Sequence, residues 1–167
     1  MPFGDTAYYA HMTKVIVEEH TIYQDNFYSY FSILLSIVNI PAYLIFRNEF
    51  LSIRITTLVI HTLIAPIFFL LYRNIIRTYI KPASLLVLTS PLLIFFSAQY
   101  SWAEGLTTLL GICAFYFIFR HKHIEASDYM GFSFFSALAI LARTAFMLFV
   151  WPFCLYLLYR LYKESFM

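Results

Sequence analysis

The stretch "ITTLVIHTLIAPIFFLLY", Ile55 to Tyr72, runs for eighteen residues without an Asp, Glu, Lys or Arg, and Arg54 and Arg73 bracket it. A helix that crosses a bilayer needs about 20 predominantly apolar residues, within a range of roughly 17–25. The segment meets that requirement, and the two arginines mark its ends. Pro66 lies inside it, which a buried membrane helix tolerates because its neighbours re-satisfy the freed backbone groups. Working outward, "ASLLVLTSPLLIFFSA" (Ala83–Ala98) reads as a second, slightly short span and "AEGLTTLLGICAFYFIF" (Ala103–Phe119) as a third. The last apolar run, Tyr129–Tyr159, has 31 residues. As one helix at about 1.5 Å per residue it would be roughly 46 Å long, well beyond a hydrocarbon core of about 30 Å. Arg143 divides it, so two short helices are expected to meet near Arg143 at one membrane face, with a single tilted helix as the alternative.

Composition supports this reading. Of 167 residues, 62% are hydrophobic, 21% aromatic and 12% charged, against about 25% charged in soluble domains. A net charge of +2 gives nucleic acid no electrostatic grip. Cys113 and Cys154 sit in separate apolar runs without metal or redox spacing, as packing residues do. No basic region followed by an apolar run opens the chain, so no signal peptide is expected. The expected fold is all-α: a polytopic helical membrane protein, residues 1–167 forming a single helical membrane domain. Residues 51–167 supply about five membrane helices, and residues 1–50 supply interfacial ones.

Two N-terminal stretches define that interfacial part. Asp5–Glu19 places Tyr8, Tyr9, Met12, Val15 and Ile16 on one helical face, with Lys14, Glu18 and Glu19 mostly off it, the pattern of an interfacial amphipathic helix. Tyr28–Phe46, interrupted by Asn39 and Pro41, either spans or lies at the interface. Positive charge prefers the cytoplasmic side. Arg73, Arg77 and Lys81, then Arg120 and Lys122, then Arg160 and Lys163 share one face if each later segment crosses once. That face is the cytoplasmic one, and Gln99–Gly105 and Arg143 fall on the far side. Asp5 joins them there if Tyr28–Phe46 is interfacial, and is cytoplasmic if it spans; charge counts do not choose.

The stretches "GDTAYYAHMTKVIVEEHTIY", "NEFLSIRITTLVIHTLIAPIFFLLYRN", "SPLLIFFSAQYSWAEGLTTLL" and "SALAILARTAFMLFVWP", in that order, resemble the GT-C superfamily of membrane glycosyltransferases, which use polyprenyl- or dolichyl-phosphate sugars and include protein mannosyltransferases and lipid A aminoarabinose transferases. "GDTAYYAHMTKVIVEEHTIY…YFSILLSI" resembles their first extracytoplasmic loop, where an acidic residue precedes a loop helix and a juxtamembrane helix follows. "NEFLSIRITTLVIHTLIAPIFFLLYRN" is similar to the stretch that comes next in them. "SPLLIFFSAQYSWAEGLTTLL" and "SALAILARTAFMLFVWP" look like two later ones. Glu104 stands further from Tyr100 than the family pattern has it, and the glycine usual after the basic residue at Arg143 is absent. The chain is also shorter than these enzymes and lacks their first membrane helix, so the resemblance implies an incomplete piece of a longer protein.

The resemblance implies a GT-C-like fold with residues 1–50 as an extracytoplasmic loop. It further implies transfer of a sugar from a lipid phosphate to an acceptor lipid, glycan or protein, in the plasma membrane of a prokaryote or the endoplasmic reticulum of a eukaryote. The phosphate is a good leaving group, so the chemistry needs one base near the acceptor and cations for the departing phosphate. Asp5 takes the base position by resemblance; "GD" before an amphipathic run is equally a helix cap. Arg143 suits a phosphate, its guanidinium being a permanent bidentate fork, or else snorkels to anchor a helix end. Glu104 is a candidate substrate-binding residue, but "SWAE" also reads as a capping box with Ser101 as cap and Glu104 three residues on. Tyr8 and Tyr9 either line a sugar site or belong to an interfacial aromatic belt. His61 is read as a neutral, hydrogen-bonded core histidine rather than a proton relay. No metal site and no cofactor beyond the lipid-linked donor are expected, although a divalent metal stays open. The rival class is a non-catalytic polytopic membrane protein, a transporter fragment or assembly subunit, but no internal repeat of the kind transporters carry is visible.

Overall fold

The computed structural model describes residues 4–22, 33–73, 75, 103–121 and 124–165. All regular structure among them is helical: α1 (Gly4–Glu18), α2 (Leu34–Phe46), α3 (Glu49–Tyr72), α4 (Glu104–Phe119), α5 (Ala126–Ala142), a 3-10 turn (Thr144–Phe146) and α6 (Met147–Ser165). The expected span at Ala83–Ala98 lies outside the described residues.

The helix ends follow from local chemistry. Arg47 closes α2 in the left-handed region (φ 49°) and its N–H donates to the Tyr43 carbonyl. Asn48 then caps α3, its side chain accepting the Leu51 N–H at 2.9 Å, and Glu49 places an acid in the first turn, where the helix dipole favours it. The cap starts α3 six residues before Ile55, leaving Arg54 inside the helix and exposed. At 24 residues and a mean hydropathy of 2.0, α3 is the one helix among the described residues long and apolar enough to cross a membrane. Of Tyr28–Phe46, helix is described only over Leu34–Phe46, 13 residues, or roughly 20 Å; residues 28–32 lie outside the described residues. The run Tyr129–Tyr159 is broken as expected: α5 stops at Ala142, and Arg143 is extended (φ −157°, ψ 116°) before the 3-10 turn.

Hydrogen bonds between α1 and α2 climb in step, so the two run in the same direction. The Ser36 hydroxyl donates to the Tyr9 carbonyl at 3.2 Å, and the Tyr43 hydroxyl to Glu18 at 2.5 Å. α3 returns antiparallel, and a buried polar network fastens all three. Asn39, fully buried on α2, donates from Nδ2 to Thr13 Oγ1 (3.0 Å, α1) and to Ser52 Oγ (3.3 Å, α3), and its Oδ1 accepts from Thr56 Oγ1 at 2.7 Å. Thr13 donates in turn to the Tyr9 carbonyl at 2.8 Å, with the Ser36 carbonyl 3.1 Å away. Lys14 pairs with Glu49 at 3.0 Å where α1 meets the start of α3.

α1 and α2 therefore bond to the first half of α3, through residues 49, 52 and 56. The second half carries α4, which runs parallel to it. The His61 ring lies where a Cβ on Gly105 would be, 2.6 Å from its nearest atom, and the Tyr72 hydroxyl donates to the Ile112 carbonyl at 3.2 Å. α4 and α5 form an antiparallel hairpin. Its interior is aromatic, with Phe115 tilted on Phe132 and Phe117 stacked on Phe135. α6 adds Val150 and Leu157 to the same cluster and sets Phe153 4.4 Å from Phe115.

A charge clamp closes the turn of this hairpin. Asp128 is 1% exposed, just before the apolar run that begins at Tyr129. It accepts from Arg120 Nε, from His121 Nδ1 at 3.2 Å and from the Glu125 N–H at 2.9 Å, the last as half of a capping box. Burial pushes its carboxyl up, but the Glu125 N–H and the Arg120 and His121 side chains outweigh that, holding it below the usual carboxylate value. Arg120 is held further by Ser127 and by the Phe117 ring, 4.7 Å from its guanidinium carbon.

Two predictions follow from these contacts. Asn39→Leu leaves the buried Thr56 hydroxyl without its acceptor, at about 1–3 kcal/mol, and removes the cross-helix donor to Thr13 and Ser52, whose hydroxyls keep the Tyr9 and Glu49 carbonyls of their own helices. The variant is expected to melt earlier in detergent and to lose hydrogen-exchange protection first across residues 4–18. Asp128→Asn is expected to cost about 1.5–3 kcal/mol at neutral pH, as for a hydrogen bond to a charged group. Because the folded pKa is depressed, this stability is fully present above the unfolded value of about 3.9 and is lost as pH falls through the folded one. The gap between wild type and Asp128→Asn should thus be flat near neutrality and close as melting is followed below about pH 4.

Candidate functional site

At the opposite end of the same hairpin, 39 residues apart in sequence, Arg143 Nη1 donates to Glu104 Oε1. The local fold explains why they meet. Glu104 is the first residue of α4, Arg143 follows the last residue of α5, and the two helices are antiparallel. The side chains are 32% and 47% exposed, so the pair sits at a rim rather than in the core. Behind it lies a cavity of about 430 Å³. Its polar edge is Glu104, Thr107, Thr108 and Arg143, and its walls are Gly111, Ile112, Phe115, Ala145, Phe146 and Phe149. Thr107 turns its hydroxyl back to the Ala103 carbonyl at 2.9 Å. Arg143 and Glu104 are therefore the charged groups of the cavity.

The backbone around Arg143 is held firmly. Its N–H donates to the Ala139 carbonyl at 2.9 Å, and its carbonyl accepts from the Phe146 N–H at 3.0 Å. The Phe146 ring presses on Gly111, with a ring carbon 2.9 Å from where a Cβ would stand. A Cβ there would require the Phe146 ring to shift. The Arg143 side chain, by contrast, is 47% exposed, and its partner is Glu104.

The sequence-derived candidates are placed as follows. Glu104 departs from the capping-box reading: α4 begins at Glu104, with Ala103 as its cap and no side-chain cap bond, and Ser101 lies outside the described residues. Its carboxylate reaches across to α5 instead of back to its own helix. Glu104 Oε2 is buried with no hydrogen-bond partner among the described residues. Arg143 is not a lone snorkelling cation; it is paired. Tyr9 is 4% exposed and packs in one cluster with Ala10, Leu35, Ile53, Ile60, Ala103, Leu106 and Ala142. Tyr8 is half-buried against that cluster, its ring edge-on to Tyr9 at 5.6 Å. Ala103 and Ala142 directly precede Glu104 and Arg143, so the ion pair borders this cluster. Asp5 lies in the first turn of α1, after its start at Gly4 rather than before it; its side chain lies outside what is described. His61 is half-buried, and its Nδ1 donates to the Thr57 carbonyl of its own helix at 2.7 Å. Among the described residues no three His, Cys, Asp or Glu side chains cluster closely enough to hold a metal ion.

The cavity itself was not visible in the sequence. Gly111, Phe115 and Phe146 read as ordinary members of apolar runs, and only the packing of the 3-10 turn on α4 opens a space between them. Gly111→Ala is expected to force the Phe146 ring off α4, costing about 1–3 kcal/mol as overpacking. Thermal unfolding of the variant measures the cost, and a cysteine at Ala145 should become more reactive as the turn loosens.

Compared with protein-family models, curated proteins and solved structures, the chain matches none.

Proposed function

We propose that this chain is part of a membrane glycosyltransferase of the GT-C kind, moving a sugar from a polyprenyl- or dolichyl-phosphate donor to an acceptor on the extracytoplasmic side. The observation that carries the reading is the cavity whose walls are aromatic and aliphatic and whose mouth holds Arg143. A lipid phosphate has the complementary form: an apolar chain for the walls and an anion for the guanidinium. A fork of N–H donors fixed by a tethered backbone is well suited to a departing phosphate. The cluster joining Tyr9 and Ala10 to Ala103 and Ala142 supports the arrangement in which Asp5, Glu104 and Arg143 belong to one face. In this reading α3 and the α4–α5 hairpin lie in a multi-pass membrane domain, α1 and α2 cover its outer surface, and Asp5 accepts the proton of the acceptor nucleophile. The sequence resemblance is the support for the reaction class, and the apolar cavity bordered by Arg143 is the support for a lipid-phosphate donor.

A second reading, a non-catalytic membrane protein, is favoured by the completeness of the ion pair, since Glu104 and Arg143 tie α4 to α5 without any ligand. Donor use separates the two. In membranes holding the intact protein, Asp5→Asn should abolish transfer while leaving protein level and donor binding near wild type. Arg143→Gln should reduce donor use about ten- to a hundredfold, matching roughly 1.5–3 kcal/mol for a charged hydrogen bond. Arg143→Lys should fall between, because charge remains but the fork is lost. If Arg143→Gln changes protein abundance alone and donor affinity stays normal, the pair is a structural tie and the catalytic reading fails.

A further inference from the structure

Resting on the donor reading above, we propose that Glu104 is an internal stand-in for the ligand's phosphate: its carboxylate occupies Arg143 in the empty site and must be displaced when a phosphate-headed molecule enters. Three observations carry this. Among the described residues the charged groups lining the cavity are Glu104 and Arg143, and they are bonded to each other. The Arg143 backbone is anchored on both sides through Ala139 and Phe146, while its side chain is 47% exposed. The guanidinium can change partner without the helix break moving. Glu104 Oε2 is buried and lacks a hydrogen-bond partner among the described residues, so the carboxylate is held by one of its oxygens only.

Electrostatics makes the exchange necessary. A phosphate bound to Arg143 while Glu104 stays in place would put two anions on one cation beside an apolar wall, where repulsion is poorly screened. The empty protein thereby avoids an unpaired guanidinium beside aromatic rings, and the ligand meets a competitor. Apparent affinity is lowered by the fraction of molecules whose Arg143 is engaged. Removing the competing charge should raise affinity, whereas removing the cation should abolish it. A Glu104 that merely oriented Arg143 for the ligand would behave in the opposite way.

The test is equilibrium binding of dodecyl phosphate to the full chain in neutral-detergent micelles, with inorganic phosphate run alongside. Wild type should bind, Arg143→Gln should lose binding, and Glu104→Gln should bind about two- to fivefold tighter, the factor released when a rim ion pair no longer has to be broken. Glu104→Asp, which keeps the charge but shortens the reach, should lie between and covers the case in which the amide fails to fold. A second readout is the coupling of residues 104 and 143 in thermal stability, from the single and double variants: present without ligand, it should vanish at saturating dodecyl phosphate. Equal or weaker binding by Glu104→Gln, with Arg143→Gln still defective, overturns the stand-in role and leaves the donor reading intact. Binding that ignores Arg143, or none by any variant, overturns both. Equal affinity for inorganic phosphate assigns the anion to a soluble source, and tighter dodecyl phosphate to a lipid headgroup; the exchange at Arg143 stands in either case.

Discussion

One carboxamide joins three helices. Asn39 is fully buried, and its donors and acceptor reach Thr13 of α1 and Ser52 and Thr56 of α3. In water a stray polar group on a helix is simply solvated. Within packed apolar helices it has to find a partner, and that requirement selects one rotation and one height for each helix. The Lys14–Glu49 ion pair and the Tyr43–Glu18 hydrogen bond reinforce the same register toward the end of α1. With the network, Tyr9 and Ala10 share one buried cluster with Ile53, Ile60, Ala103 and Ala142.

α3 then acts as a shared axis. Its first half belongs to the α1–α2 layer and its second half to the α4–α5 hairpin, with His61 against Gly105 at the crossing point. The absence of a side chain at Gly105 lets the imidazole lie on the α4 backbone. Packing there, together with the Ala103 and Ala142 positions, allows backbones to approach closely where five helices converge. Small residues at such a junction are the usual way for apolar helices to gain van der Waals contact.

The two ion pairs of the α4–α5 hairpin have different characters. At the turn, Asp128 is sealed and satisfied on both oxygens, with a backbone N–H among its donors. At the open end, Glu104 and Arg143 are half-exposed and border a cavity. Breaking a sealed pair strands a buried charge, whereas a rim pair exchanges partners with little penalty. The hairpin is thus closed permanently at one end and reversibly at the other.

Much of the helical layout was legible in the sequence because its causes are local. An uncharged apolar run predicts α3, the alternation of apolar and charged residues predicts α1, and an arginine inside an overlong apolar stretch predicts the break after Ala142. Helix ends were less legible: Asn48 and the Glu125–Asp128 box extended α3 and α5 beyond their apolar runs, since capping groups are polar and fall outside a hydropathy count. The partners of buried polar groups were not legible at all. Asn39 read as an interruption of an apolar stretch and proved to be its fastening point. Glu104 read as a cap of its own helix and proved to face a residue 39 positions away. Periodicity and spacing describe one segment at a time. Which side chains meet, and whether they enclose a cavity, depends on how separate helices are rotated against each other, and packing alone sets that.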